Sequence, residues 1–147
     1  MKLKILLKRQ IYKTQFSRFV LKPKLRKKIL KIREKNNTKD IKINFDKIIK
    51  LIKKEKITKK VVGGYYPVNF EVNDLELLKK LEKNKFDISL PVIKKNFQMD
   101  FYNWSFSDPL MVNKYGIPEP EVKNIIYPDI LLIPLVAFDK NLNRLGY

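Results

Sequence analysis

The chain has 147 residues, one domain by the usual size range, and its 44% apolar content is enough for a core. It contains neither cysteine nor histidine, which excludes a disulfide framework, thiolate and Ser-His nucleophiles, histidine general bases and Cys- or His-based metal sites. The formal net charge of +18 is confined to one end: residues 1–60 carry 23 Lys and Arg against 4 Asp and Glu, and residues 61–147 carry 10 against 11.

Residues 1–21 hold six basic and no acidic residues, with Ile5, Leu6, Leu7, Ile11, Phe16 and Phe19 interspersed. They lack a secretory apolar core and a small-residue cleavage site. They read as a basic N-terminal extension of a cytoplasmic protein, an organelle presequence being the alternative. From Pro23 to about Lys35, Leu25, Ile29, Leu30 and Ile32 form the apolar stripe of a first helix, with Pro tolerated in its first turn. Lys22 and Arg26, four apart, lie on one face of it. They could grip a polyphosphate or simply be a basic helix end. A second helix is expected from Asn44 to Glu55, with Phe45, Ile48, Ile49 and Ile52 inward.

Val61 to Tyr66 reads as a strand ending at Pro67, and Asn73 as the N-cap of a third helix bearing Leu75, Leu78 and Leu81. Glu71, between them, could accept hydrogen bonds from the N–H groups of a ligand, or favour the dipole of that helix. Phe86–Val92 is a strand, and Phe97–Trp104 alternates like a strand open on one side. Trp104 reads as core. Residues 108–127 carry Pro109, Gly116, Pro118 and Pro120 and read as loop-rich. Tyr115 there could stack on a flat heterocycle or plug the edge of the core.

Asp129–Phe138 is a continuous apolar run, expected to be a strand buried on both faces at the centre of a parallel sheet. Asp139, at its end, could fix the following loop through backbone amides or sit behind a bound cation. Arg144 and Gly146 follow, where an open α/β sheet binds ligands; Arg offers a planar fork to an anion and Gly permits close backbone approach. The elements give an α/β fold with a mostly parallel sheet flanked by helices, a Rossmann-like three-layer domain.

Several stretches resemble, in order, the motifs of the 5-formyltetrahydrofolate cyclo-ligase (methenyltetrahydrofolate synthetase) family. Lys22-Pro23-Lys24-Leu25-Arg26 resembles its K-x-x-L-R helix, and Tyr66-Pro67 followed by Glu71 its folate-contacting strand end. Leu90-Pro91 with Met99-Asp100-Phe101 resembles its "LP…M-F" stretch, and Tyr115-Gly116-Ile117-Pro118-Glu119-Pro120 its "FGI-x-EP" loop. The final PLVAFDKNLNRLGY is similar to the start of its C-terminal signature. The resemblance covers roughly Lys22 to Tyr147 and implies a single α/β domain over 22–147.

It further implies an ATP-dependent reaction: phosphorylation of the formyl oxygen of 5-formyltetrahydrofolate, attack by the neighbouring nitrogen, and loss of phosphate to give 5,10-methenyltetrahydrofolate. By the same resemblance Lys22, Arg26, Arg144, Leu145, Gly146 and Tyr147 contact ATP, with Arg144 the candidate catalytic residue. Glu71, Tyr66 and Tyr115 contact the folate, and Mg²⁺ accompanies ATP. The family continues past RLGY with a GGGYYDR-like segment, so this chain is expected to be C-terminally truncated, its Mg²⁺ ligand to lie beyond Tyr147, and the chain alone to lack turnover. A monomer is expected, without membrane association. An alternative is a basic, non-catalytic nucleic-acid-binding protein using residues 1–60; binding through Lys would be non-specific and salt-dependent.

Overall fold

The computed structural model describes residues 22–36, 41–95, 98–121, 124–141 and 143–146. They form two compact units, one from residues up to Asn37 together with Leu135–Tyr147, the other from Thr38–Pro134. The basic segment 1–21 and Tyr147 lie outside the described residues.

The Thr38–Pro134 unit is built on a four-stranded sheet in the order β3-β2-β1-β6. Its members are β1 (Val61–Gly63), β2 (Asp87–Ile93), β3 (Met99–Asn103) and β6 (Ile130–Leu131). β1 runs parallel to both β2 and β6, and β3 is antiparallel to β2. The α/β class therefore holds, with an antiparallel edge. Two helices pack on this sheet. Helix α2 (Phe45–Lys54) begins where Asn44 accepts a hydrogen bond from Lys47 N at 3.0 Å, satisfying one of the amides that a helix start leaves open. Asp46 in its first turn and Lys53 and Lys54 in its last complement the helix dipole.

Asp74 stands at the N-cap position of helix α3 (Leu75–Lys83) but makes no side-chain capping bond; its carboxyl faces Tyr65 N. Asn73 instead accepts from Leu75 N at 2.9 Å. Leu77, Leu78 and Leu81 of α3, Ile52 of α2, Val62 of β1, Ile88 and Leu90 of β2, and Trp104 form one buried core. The Trp104 assignment to the core holds, and its ring lies 4.6 Å from that of Phe106. Pro91 is accommodated because β1 ends opposite Ser89, so at Pro91 β2 pairs only with β3; a proline lacks the N–H that a second neighbour would need.

Three expectations are corrected. The strand from Val61 ends at Gly63, not Tyr66. Residues 108–127 are not all loop: β4 (Leu110–Val112) and β5 (Pro118–Pro120) form an antiparallel hairpin. Most importantly, Asp129–Phe138 is not one buried central strand. It contains β6 at the end of the sheet and β7 (Ala137–Phe138), which belongs to the other unit. Pro134 interrupts the run, removing a ladder donor, and Leu131, Ile133 and Phe138 are exposed. The interior strands are β1 and β2.

In the second unit, helix α1 spans residues 22–36, and β7 pairs antiparallel with β8 (Arg144–Leu145), Phe138 opposite Arg144.

Candidate functional site

The parallel arrangement of β1, β2 and β6 brings their carboxyl ends to one pole of the sheet, the side on which open α/β sheets bind ligands. The connection from β1 to α3 lies at that pole and carries Tyr66 and Glu71. It starts with close packing. A Cβ on Gly64 would fall 2.4 Å from Leu78 Cδ1 and 3.0 Å from Asp74 Oδ2, so only glycine fits between β1 and α3.

Asp74 is fully buried, and its Oδ2 accepts from Tyr65 N at 3.2 Å. Tyr65 Oη donates to Val72 O at 2.6 Å, closing the base of the connection. At its tip, Glu71 N donates to Val68 O at 3.0 Å while Glu71 Oε2 accepts from Val68 N at 2.8 Å. Glu71 is half-buried, as is Tyr66. The Glu71 carboxylate thus serves its own turn with one oxygen. Burial pushes the Asp74 carboxyl up to about 7, the Tyr65 amide opposing this and the neighbouring Glu71 adding to it.

Tyr115 is half-exposed at the tip of the β4–β5 hairpin and does not plug the core. Its amide donates to Asn113 Oδ1 at 2.9 Å, and Lys114 Nζ lies 5.1 Å from its ring centre. β5 packs against β2. A cavity in this unit, about 70 Å³ and lined by Ile41, Ile43, Asn73 and Leu77 among others, is far below the few hundred Å³ of a folate-sized pocket. The strand-end pole, where Tyr66 and Glu71 lie, is the candidate that the topology of parallel strands favours.

The second cluster lies in the other unit. Arg26 Nε donates to Gly146 O at 2.9 Å, so the K-x-x-L-R helix and the RLG segment meet there. Arg33, seven residues on and on the same helix face, donates through Nη2 to Leu135 O. Sequence reasoning missed Arg33, although its spacing from Arg26 was readable. Between these anchors Asp139 ties the β7–β8 turn: its Oδ1 accepts from the amides of Asn141 and Asn143, each at 2.9 Å, and its Oδ2 from Asn143 Nδ2 at 3.0 Å. The Asn143 bonds hold its carboxyl below the usual carboxylate range. The structural role expected of Asp139 is the one seen. Arg144 and Lys22 are exposed. Arg26 keeps further guanidinium N–H groups beyond the one on Gly146.

Among the described residues no group of three Asp or Glu side chains is placed to hold a metal ion, and no helix is long and apolar enough to cross a membrane.

The model of the 5-formyltetrahydrofolate cyclo-ligase family matches residues 18–147. The chain belongs to that family. It is 34% identical over 95 residues to a 5-formyltetrahydrofolate cyclo-ligase of Haemophilus influenzae, a match covering 59% of this chain and 50% of the relative. The chain thus spans about half the length of that relative. Among solved structures it resembles the Aquifex aeolicus 5,10-methenyltetrahydrofolate synthetase with a TM-score of 0.64 and 29% identity, covering 86% of this chain and 67% of that one. The Mycoplasma pneumoniae 5,10-methenyltetrahydrofolate synthetase, at 24% identity and a TM-score of 0.55 over 86% and 71% of the two chains, shares the fold. The family match spans both clusters.

Proposed function

We propose that this chain works in the ATP-dependent closure of 5-formyltetrahydrofolate to 5,10-methenyltetrahydrofolate. The γ-phosphoryl group of ATP passes to the formyl oxygen. The neighbouring folate nitrogen attacks the activated carbon, and phosphate leaves with that oxygen. The observation that supports this most is the coincidence of a family match over residues 18–147 with a braced Glu71 turn at the carboxyl pole of β1. Such a reaction needs positioning and charge stabilisation more than side-chain acids and bases, which suits a chain without histidine or cysteine.

In this reading Glu71, with Tyr66 and Tyr115, holds the folate. Lys22, Arg26 and Arg144, with the backbone of Leu145 and Gly146, hold ATP phosphates through charge-assisted hydrogen bonds. Tyr147, assigned to the same contact, lies outside the described residues. Mg²⁺ would accompany ATP as its counterion, held chiefly by the phosphates and water.

The test is calorimetric. Glu71→Gln should weaken 5-formyltetrahydrofolate about tenfold, the scale of one charge-assisted bond, and leave ATP affinity unchanged. An equal loss for both ligands would reduce Glu71 to a fold-maintaining residue.

A further inference from the structure

Asp74 is the only buried carboxyl among the described residues, and it has no exposed surface. Such a site favours the neutral acid unless donors surround the charge. Few donors are at hand. Oδ2 accepts the Tyr65 amide at 3.2 Å, while Oδ1, also buried, has no hydrogen-bond partner among the described residues. β1 meets the carboxyl with Gly64, whose Cβ position lies 3.0 Å from Oδ2, and α3 packs Leu78 into the same gap. The titratable groups of the connection are Tyr65, Tyr66 and Glu71. Tyr65 Oη is held by Val72 O, and Glu71, of like sign, opposes a second charge. The amides of Tyr65 and of Asp74 itself favour the charged form, but burial outweighs them and pushes the carboxyl up to about 7.

The bond from Tyr65 N to Asp74 and that from Tyr65 Oη to Val72 O tie together the two ends of segment 66–71, which carries Tyr66 and Glu71. A proton on Asp74 keeps that tie in place. Its loss puts a carboxylate in an apolar site beside Glu71, a charge relieved only as the carboxyl swings towards water and lets go of Tyr65. We propose that Asp74 is a positioning residue that acts as a neutral acid, holding Tyr66 and Glu71 for the folate, so that folate binding and the Asp74 proton reinforce each other. The proposal rests on the folate reading above and adds to it a coupled proton. Coupling of this kind is reciprocal: the proton favours the ligand, and the ligand retains the proton.

A purely structural carboxyl changes stability with pH but not the affinity of the folded chain. With Asp74 as a positioning acid, affinity for 5-formyltetrahydrofolate should be level below about pH 6 and fall above about pH 7, by at most about tenfold per pH unit, the limit for one proton. Calorimetry of the full chain at about pH 7.5, in buffers of different ionisation enthalpy, should show uptake of a fraction of one proton on binding. Asp74→Asn, neutral at every pH, should keep the wild type's low-pH affinity throughout, within about twofold, and take up none. The ¹³C-carboxyl resonance of Asp74 needs no variant and should titrate at higher pH in the complex than in the free chain. If wild-type affinity is level from about pH 6 to about pH 8 without proton uptake, or Asp74→Asn keeps the wild-type fall, the proposal is wrong and the folate reading stands. An Asp74 titration unchanged by the folate has the same consequence. If the wild-type chain does not bind the folate even at about pH 6, both fail.

Discussion

Gly64→Ala tests whether the approach of β1 to α3 is as tight as described. The added Cβ would lie 2.4 Å from Leu78 Cδ1, 3.0 Å from Leu78 Cδ2 and 3.0 Å from Asp74 Oδ2. Leu78 is fully buried among Leu77, Leu81, Val62 and Ile88, so its methyls have nowhere to swing. Overpacking at such a site costs about 1–3 kcal/mol. Displacing the Asp74 carboxyl from Tyr65 N adds about 1 kcal/mol. Gly64 is not among the positive-φ residues, so alanine also restricts the unfolded chain and returns about 0.4–1 kcal/mol. The net expectation is a loss of about 1–3 kcal/mol. Gly63→Ala is the internal control. Its Cβ would meet Leu131 Cδ1 at 2.8 Å and Phe101 Cε1 and Pro128 Cβ at 3.0 Å. Leu131 is 46% exposed and can yield, so the loss should be smaller. Urea unfolding followed by far-ultraviolet circular dichroism measures both. A Gly64→Ala midpoint equal to wild type, or a larger loss for Gly63→Ala, would refute the reasoning.

Further expectations concern titration, capping and the nucleotide. Because burial raises the Asp74 carboxyl from 3.8 to about 7, the folded chain holds a proton there that the unfolded chain releases. Its stabilising effect is complete below pH 3.8 and is lost as pH rises through about 7, by at most about 4 kcal/mol. Asp74→Asn should flatten that part of the stability–pH curve, and parallel curves for the two proteins would contradict it. Asp139 behaves in the opposite sense: its lowered carboxyl favours the folded turn above the ordinary carboxylate range and ceases to do so as pH falls. Asp139→Ala should therefore raise hydrogen exchange at Asn141 and Asn143 at neutral pH and change little in acid. Asn44→Ala should cost about 1 kcal/mol, the worth of an N-cap, read from the urea midpoint. Arg144→Ala should weaken ATP by about 2 kcal/mol in calorimetry.

Helix spacing and capping chemistry were legible in the sequence. The apolar stripe and Asn44 located α2 to within a residue or two at each end; in α3 Leu78 and Leu81 were identified as core, but Leu77 was missed and Leu75 is only half-buried. Strand ends were less legible, because they depend on the partner. Val61–Tyr66 looks extended throughout, but β1 stops at Gly63. The apolar run from Asp129 suggested burial on both faces, and hydropathy does not register that Pro134 divides it. The β4–β5 hairpin was hidden by its short strands and two prolines. The candidate site was legible only as separate motifs. Pairing showed that Arg26 reaches Gly146, and nothing local marks Asp74 as a buried carboxyl. At Asn69-Phe70, both at positive φ, Asn is a turn signal and Phe is not, so the bend was only half legible.

The most direct test of the account is a map of amide chemical-shift changes in this chain on adding 5-formyltetrahydrofolate and, separately, ATP. The folate should shift Tyr66 and Glu71 at the carboxyl pole of β1, and ATP should shift Arg26 and the Arg144–Gly146 segment. Shifts confined to the lysine-rich face of α2, or none at the Glu71 turn, would contradict it.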